Sequence, residues 1–195
     1  MTLDYYNQHA EAFFDATVNV DMNNIYQKFL PFLKPNAQIV DAGCGSGRDA
    51  LYFKSQGFKV TAFDASIELA HRAQRLLGQQ VAITTFERFS IQEKVDGIWC
   101  CASLLHLSKS ELLPSLKNLN SHLNNGGVMY ISFKYGDAER IEHGRQFIDM
   151  NESTLTALIN NLPELTISET WITGDNRPGR ENEKWLNAIL LKEFH

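Results

Sequence analysis

Short apolar runs alternate with amphipathic segments along the middle of the chain, between about residues 39 and 133. Each run has the length of one strand, and each amphipathic segment has the spacing of a helix. This alternation predicts a parallel β-sheet covered by helices, because parallel strands are joined by helical crossovers. The predicted strands are residues 39–41, 59–63, 81–86, 95–101 and 128–133.

Capping residues set the ends of the predicted helices. Ser66 is a typical N-cap residue and Gly78 a typical C-terminal residue, so we expect a helix that reaches residue 77. Ser108, followed by Glu111, forms a capping box that predicts a helix to about residue 123. A further helix is expected over residues 49–56, and residues 124–127 are typical of a turn.

The two ends of the chain depart from this alternation. Residues 5–17 and 23–33 have the pattern of amphipathic helices, which predicts a helical cap over residues 1–34. The core of the fold is expected over residues 37–133, as a Rossmann-like, doubly wound α/β sheet.

The C-terminal third, residues 134–195, has a mixed pattern. It begins with a polar stretch, continues with a predicted helix over residues 152–161, and ends with two predicted strands, 165–173 and 185–192. We expect these strands to form an antiparallel edge of the sheet, and the whole chain to fold as one domain.

The strongest chemical signal lies where the first predicted strand leads into a helix. Residues 41–48 read Asp-Ala-Gly-Cys-Gly-Ser-Gly-Arg. Glycines at alternate positions allow a tight turn and a close approach of the backbone to a ligand. Asp64, at the end of the second predicted strand, is suited to accept the hydroxyl groups of a ribose. A tight strand–helix turn without a ligand is the alternative, but the two features together favour an adenosine ligand.

Asp41 distinguishes between the cofactors that carry adenosine. A dinucleotide loop has a glycine where this chain has Arg48, and the charge of Asp41 would oppose a pyrophosphate. The same charge suits the cationic amino group of S-adenosylmethionine (SAM). The sequence therefore favours SAM over NAD, and disfavours an NAD-dependent oxidoreductase.

These motifs, in this order, resemble those of class I SAM-dependent methyltransferases, and in particular those of small bacterial methyltransferases of the tellurite-resistance type. The resemblance implies a seven-stranded, mostly parallel sheet whose last strand is antiparallel. It also implies methyl transfer from SAM to a small molecule, with S-adenosylhomocysteine (SAH) as the product. The matching segments are residues 41–49, 96–106, 123–130, 133–136, 177–180 and 185–187.

The resemblance implies positions for the cofactor as well. The methionine moiety would lie on the glycine loop with Asp41 near its ammonium group, the ribose at Asp64, and the sulfonium above Ala102. Many family members have an acidic or amide side chain after the third strand that contacts the adenine; residues 86–89 depart from that pattern, and Glu87 is the candidate there. Ser66 acts as a helix cap whether or not it touches SAM. The implied cofactor residues are Asp41, Gly43, Gly45, Gly47, Asp64, Ala65, Ser66, Glu87, Ala102 and Ser103.

The acceptor side is expected between the ends of the later strands and the N-terminal cap, which would close as a lid and bring Tyr6 to the site. His106 is a candidate general base, although a histidine that only shapes its loop fits the sequence equally well. Four cations fit an acceptor with an anionic group: Lys134, Arg145, Arg177 and Arg180. Pairing with neighbouring carboxylates is the alternative, which the sequence slightly favours.

Composition narrows the remaining possibilities. The net charge of -5 argues against nucleic acid as the main partner. The chain lacks a spanning apolar run and the pattern of a signal peptide, so we expect a cytoplasmic protein without a membrane partner. Cys44, Cys100 and Cys101 lack metal-ligand spacing, so no metal is predicted. An acceptor with an anionic group or a thiol, an RNA or tRNA methyltransferase, and a non-catalytic SAM-binding regulator all stay open, as does the oligomeric state.

Overall fold

The computed structural model describes residues 2–194 of the 195-residue chain. Seven of its strands form one sheet in the order β3-β2-β1-β4-β5-β9-β8, and β6 pairs with β7 in a separate hairpin. The strands are β1 (Gln38–Ala42), β2 (Lys59–Asp64), β3 (Ala82–Ile83), β4 (Val95–Cys100), β5 (Leu123–Lys134), β6 (Glu139–Glu142), β7 (Arg145–Ile148), β8 (Leu165–Gly174) and β9 (Lys184–Lys192).

The last strand runs against the others. The pairs from β3 through β5 are parallel, whereas β9 is antiparallel to both of its neighbours, β5 and β8. The Rossmann-like sheet with an antiparallel last strand is therefore confirmed.

Helices cover both faces of this sheet. They are α1 (Thr2–Gln8), α2 (Ala10–Thr17), α3 (Asn23–Phe29), α4 (Arg48–Ser55), α5 (Ile67–Leu77), α6 (Lys109–Ser121) and α7 (Glu152–Ile159), with short 3-10 turns at Leu30–Phe32 and Leu104–His106. None of the helices within residues 2–194 is both long enough and apolar enough to cross a membrane.

Strand side chains alternate between the two covered faces. On β5, Met129 and Ile131 pack with α6 and α7, whereas Val128 and Tyr130 pack with α3 and α4. All four side chains are fully buried. Burial on both faces explains why the central strands read as nearly continuous apolar runs rather than as alternating ones.

The capping residues act as the sequence predicts. The Ser66 hydroxyl accepts a hydrogen bond from the Leu69 N–H at 3.3 Å, and Gly78 ends α5 in the left-handed conformation with φ of 62°. Ser108 and Glu111 form the predicted capping box at the start of α6. These capping residues predict the helix ends correctly because each forms hydrogen bonds with unpaired backbone groups only a few residues away.

The third strand is shorter than predicted. Only Ala82 and Ile83 pair with β2, and the chain then turns at Phe86. The side-chain amide of Asn118 on α6 donates to the carbonyl groups of Phe86 and Phe89, both at 2.8 Å. This long-range contact stabilises the turn. The pattern of apolar residues in the third strand cannot predict it, because the contact depends on a residue of α6.

The predicted N-terminal helices are each divided in two. The first breaks at His9, whose φ of -113° and ψ of 18° are not helical. The second ends at Phe29 and continues as the turn Leu30–Phe32, because Pro31 has no N–H to donate. At the start of β5, the predicted turn over residues 124–127 is instead a bulge in the pairing with β4, with Gly126 at φ of 76°.

The hairpin of β6 and β7 lies in the polar stretch for which no strand is predicted. His143 and Gly144 form its turn with φ of 50° and 77°, which matches the two positive φ angles of a tight hairpin turn. The turn sequence is atypical, and neither strand shows strong apolar alternation, so the pattern gave no signal. The hairpin nevertheless brings Arg145 and Phe147 to the carboxyl end of the sheet.

Gly97 on β4 gives a test of this packing. A Cβ atom there would lie 2.9 Å from the Phe29 ring tip, which is fully buried, and 3.1 Å from a Leu33 methyl group. We expect Gly97→Ala to lower the free energy of unfolding by about 1–3 kcal/mol through overpacking. Urea denaturation of the variant, with and without Phe29→Leu, measures the effect. Equal destabilisation in both backgrounds would contradict the assigned contact.

Candidate active site

A cavity lies at the carboxyl ends of β1, β4 and β5, the end of an open α/β sheet where ligands bind. Helices α1 and α2 cover one side, and the β6–β7 hairpin and the loop between β8 and β9 cover others. It brings together all six residues expected on the acceptor side, which are Tyr6, His106, Lys134, Arg145, Arg177 and Arg180. Gly43 and Gly45 of the glycine loop and Ala102 line the same cavity.

The glycine loop turns tightly between β1 and α4. Gly43 and Gly45 have φ of 72° and 54°, a region that favours glycine. A Cβ atom on Gly43 would lie 2.7 Å from the Cβ of Ser103, and one on Gly45 would lie 3.1 Å from the Phe13 ring. The loop is thus held between the end of β4 and the N-terminal helices.

Seven of the ten expected cofactor residues do not line this cavity: Asp41, Gly47, Asp64, Ala65, Ser66, Glu87 and Ser103. Gly47 faces α5, where a Cβ atom would lie 3.1 Å from the Cβ of Ala73, so its glycine lets two helices pack closely. Asp41 is buried and accepts a hydrogen bond from the Ala50 N–H at 3.0 Å. Glu87 lies exposed on the turn after β3.

Asp64 joins the glycine loop to the start of α5. Its carboxylate accepts hydrogen bonds from the Gly45 N–H at 2.9 Å and the Ser66 N–H at 2.8 Å. Burial raises its pKa, although these N–H groups act in the opposite direction. The Ser66 hydroxyl in turn donates to the Asn7 side chain at 2.7 Å. Asp64 and Ser66, with Ala65 between them, thus lie directly under the lid.

Asp49 is a buried carboxylate that the sequence analysis does not identify as a site residue. It accepts hydrogen bonds from the Arg48 Nε and the Trp99 Nε1, both at 2.8 Å, and from the Tyr26 hydroxyl. Burial alone would raise its pKa, but Arg48 and these hydrogen bonds outweigh burial and hold it below the ordinary value. In sequence, an acidic residue in the first turn of a helix indicates only a favourable helix-dipole contact.

Carboxyl groups outnumber cations around the glycine loop. Asp41, Asp49 and Asp64 lie close enough to influence one another, and Arg48 is the cation among them. The pKa of Asp41 is well above its ordinary value because of burial and then the charge of Asp49. A cationic group bound at this end would lower that electrostatic cost.

At the opposite end of the cavity, three of the four expected cations are paired with carboxylates. Arg177 makes a two-pronged contact to Asp175, at 2.9 and 2.6 Å. Lys134 and Arg180 lie 3.2 and 3.4 Å from the carboxylate of Glu183. For these three, the pairing alternative from the sequence describes the structure.

Arg145 differs from the other three. Within residues 2–194, no carboxylate lies within the 4.0 Å of an ion pair to its guanidinium, and its buried Nε has no hydrogen-bond partner. The guanidinium carbon lies 4.4 Å from the ring centroid of Tyr5 and 5.0 Å from that of Phe147. Arg145 is therefore a cation that faces the cavity with aromatic rings, rather than a counter-ion, as neighbours.

His106 is held by two hydrogen bonds. Its Nδ1 lies 2.9 Å from the Gln146 carbonyl oxygen, and its Nε2 lies 2.6 Å from the Tyr6 hydroxyl. Because a carbonyl only accepts, Nδ1 carries the proton and Nε2 accepts from Tyr6. Burial lowers the pKa of His106 to about 4, and the charges of Arg145 and Lys134 act in the same direction.

The backbone after β4 is strained beside this histidine. Ala102 has φ of 50°, rare for a residue with a side chain, and its N–H donates to the Ser132 hydroxyl at 2.7 Å. The neighbouring Cys101 lines the cavity, and burial raises its pKa to about 12, so it is a neutral thiol. Strained backbone of this kind is commonly found at functional sites.

A family model described as a methyltransferase domain matches residues 14–156. The chain belongs to this methyltransferase family. The match covers the glycine loop, the end of β4 and the hairpin that carries Arg145, and it confirms the family that the sequence motifs indicate.

Two curated relatives of this methyltransferase-domain protein are partial matches. A probable S-adenosyl-L-methionine-dependent methyltransferase, TehB of Haemophilus influenzae, is 26% identical over 60% of this chain and 48% of its own. A ubiquinone biosynthesis O-methyltransferase of Rickettsia typhi is 33% identical over 49% of this chain and 40% of its own. The chain thus matches less than half the length of either relative.

Solved structures of similar fold extend over nearly the whole methyltransferase-domain chain. A 1,6-didemethyltoxoflavin-N1-methyltransferase of Burkholderia thailandensis, with bound 1,6-didemethyltoxoflavin and SAH, has a TM-score of 0.78 at 23% identity, covering 98% of this chain and 85% of its own. A TehB-like SAM-dependent methyltransferase of Corynebacterium glutamicum has a TM-score of 0.71 at 19% identity, covering 98% of both chains. At these identities, the likeness establishes the fold.

The buried His106 predicts a pH dependence of the stability of this methyltransferase-domain protein. Its folded pKa of about 4 lies below the ordinary value of 6.5, so the unfolded chain takes up the proton first. The stability is full above pH 6.5 and falls as the pH drops toward 4, by about 3 kcal/mol from this group. We expect His106→Gln to lack this part of the pH dependence.

Urea denaturation between pH 7 and pH 4 measures the difference. The exposed His71 on α5 offers a matched control, and His71→Gln should follow the unmodified protein. Parallel pH profiles for His106→Gln and the unmodified protein would contradict a buried neutral His106.

Proposed function

We propose that this methyltransferase-domain protein transfers a methyl group from SAM to a small-molecule acceptor. The observation that carries the proposal is the charge distribution of the cavity. Carboxylates predominate beside the glycine loop, and cations line the opposite end. A cationic cofactor and an acceptor with a negative group fit these two ends, respectively.

The residues around the glycine loop fit SAM better than NAD. SAM carries an ammonium and a sulfonium group, which would favour the ionised forms of Asp41 and Asp64 beside Asp49, whereas a pyrophosphate would disfavour them. In this proposal Gly43 and Gly45 hold the methionine moiety. Asp64, at the end of β2, is suited to the ribose.

SAM would supply an activated methyl group bonded to its sulfonium sulfur. What the chain contributes is a fixed orientation of the acceptor and a site that excludes water. Phe13, Met22 and Leu105 give the cavity apolar walls. Ala102, with its strained backbone between the glycine loop and His106, would lie where the methyl group passes from one ligand to the other.

The lid and the hairpin support a small acceptor. Tyr6 and Phe13 of the lid and Arg145 and Phe147 of the hairpin border the same cavity, so two elements narrow the space beside the glycine loop. The Burkholderia neighbour, with its bound 1,6-didemethyltoxoflavin, is a protein of similar fold that acts on a small molecule.

Isothermal titration with SAM, SAH and NAD tests the cofactor. We expect SAM and SAH to bind and NAD not to bind. Asp64→Ala should weaken SAM binding at least about tenfold, because it removes a buried carboxylate beside the ribose position. The exposed Asp137 gives the control variant Asp137→Ala, which should bind as the unmodified protein does.

A second control separates the two ends of the cavity. The Arg177→Ala/Arg180→Ala double variant removes charge at the acceptor end only, so its SAM affinity should stay within about twofold of that of the unmodified protein. Binding of NAD, or no binding of SAM by a folded protein, would refute the cofactor assignment. Loss of SAM binding in the folded double variant would refute the acceptor-side assignment of these arginines.

A further inference from the structure

Tyr6, His106 and Arg145 come from three separate elements and meet at one wall of the cavity. Tyr6 lies on α1, His106 on the turn after β4, and Arg145 on β7. The Tyr6 hydroxyl lies 2.6 Å from the His106 Nε2, and the Arg145 guanidinium carbon lies 6.0 Å from the Tyr6 ring centroid. A hydroxyl, a neutral imidazole and a cation without a counter-ion are thus grouped at the acceptor end.

We propose that Arg145 binds the anionic group of the acceptor and that Tyr6, hydrogen-bonded to His106, receives the proton of the acceptor's attacking nitrogen or oxygen. This proposal rests on the proposed function and specifies its substrate class: a small carboxylate or phosphate compound whose nucleophile is an amine or a hydroxyl group.

The orientation of His106 determines the direction of proton movement. Its Nδ1–H donates to the Gln146 carbonyl oxygen, so only Nε2 has a free electron pair, and the Tyr6 hydroxyl already donates to it. The acceptor therefore meets the oxygen of Tyr6 rather than the imidazole. Tyr6 is the catalytic residue in this proposal, and His106 is a positioning residue that acts through it.

In this proposal, methyl transfer and proton transfer occur together. The electron pair of the acceptor's nitrogen or oxygen forms a bond to the methyl carbon, and the bond from that carbon to sulfur breaks, with its electrons remaining on sulfur. The proton of the nucleophile passes to the Tyr6 oxygen while the Tyr6 proton passes to the His106 Nε2. His106 ends as an imidazolium, whose second N–H stays hydrogen-bonded to Gln146.

The charges around His106 link the acceptor's anionic group to this proton transfer. The charged groups that act on it are Arg145 of β7 and Lys134 of β5, and both, after burial, keep its pKa near 4. Lys134 is paired with Glu183, whereas Arg145 has no such partner within the described chain. An anion at Arg145 would offset that charge and make His106 a better proton acceptor.

Nuclear magnetic resonance of ¹⁵N-labelled histidine tests the link without any turnover. Sodium benzoate serves as the carboxylate probe, and His106→Gln assigns the signal. We expect saturating benzoate to raise the pKa of His106 by about 1 or more, as for a cation whose charge is offset. Arg145→Gln should abolish this rise. Arg140→Gln should preserve it, because Arg140 is already paired with Asp149.

Three results of this titration would overturn the proposal. They are an absence of benzoate binding, equal binding to Arg145→Gln and the unmodified protein, and binding that leaves the His106 signal unchanged. All three are independent of SAM, so they are distinguishable from a failure of the cofactor titration, which would refute the proposed function itself.

Turnover tests the role of Tyr6. SAH release is measured with a panel of carboxylate- and phosphate-bearing amines and alcohols, together with their neutral and thiol counterparts. We expect turnover of anionic amines or alcohols, a kcat about 100-fold lower with little change in KM for Tyr6→Phe, and a raised KM for Arg145→Gln. Tyr5→Phe is the matched control, because it keeps the ring that contacts Arg145.

The pH profile separates proton transfer from a structural role of His106. The kcat of the unmodified protein should fall at low pH as the imidazole takes up a proton, and His106→Gln should have a lower kcat without this limb. Turnover of only neutral or thiol acceptors, an unchanged kcat in Tyr6→Phe, or SAM binding without turnover of any anionic amine or alcohol would each overturn the proposal.

Discussion

The buried carboxylate of Asp49 is the contact on which the cavity depends. It receives hydrogen bonds from Arg48, Tyr26 and Trp99, so one side chain joins the glycine loop, the N-terminal cap and β4. Removing one partner of such a buried pair leaves an uncompensated charge, so a single substitution in this network would destabilise the fold. The distance between the cap and the sheet, and with it the space for ligands, is therefore set from inside the core.

The same network also fixes the charge at one end of the cavity. Arg48 is paired with Asp49, and its charge only partly offsets the burial that raises the pKa of Asp41. At the far end, Asp175 and Glu183 neutralise three cations only in part, while Arg145 keeps its full charge. Two ligands of opposite charge are thus favoured in adjacent positions by groups that the fold itself holds in place.

The sequence predicts well what depends on neighbouring residues. Helix α5 runs between Ser66 and Gly78 as its capping residues indicate, and the sheet is mostly parallel as the alternation of apolar and amphipathic segments predicts. The sequence-based prediction is wrong where a side chain distant in sequence determines the local structure, as at the end of β3, where Asn118 binds the turn. Arg177 and Arg180 pair with acidic residues two and three positions away in the chain, whereas the surroundings of Arg145 depend on where the hairpin folds.

The hairpin also explains why the acceptor is harder to infer than the cofactor. The glycine loop and Asp64 lie within two consecutive strand–helix units, so their separation in sequence predicts that they are close together in the fold. The acceptor end is built from α1, β7 and the loop after β8, and its contacts span 100 residues between Tyr6 and His106 and 144 between Thr2 and Gln146. The Thr2 hydroxyl accepts a hydrogen bond from the Gln146 N–H, so the N-terminal segment contacts the strand that carries Arg145 and Gln146. In the proposed function, a segment that covers the cofactor would also complete the acceptor site, which would tie methyl transfer to a cavity from which water is excluded.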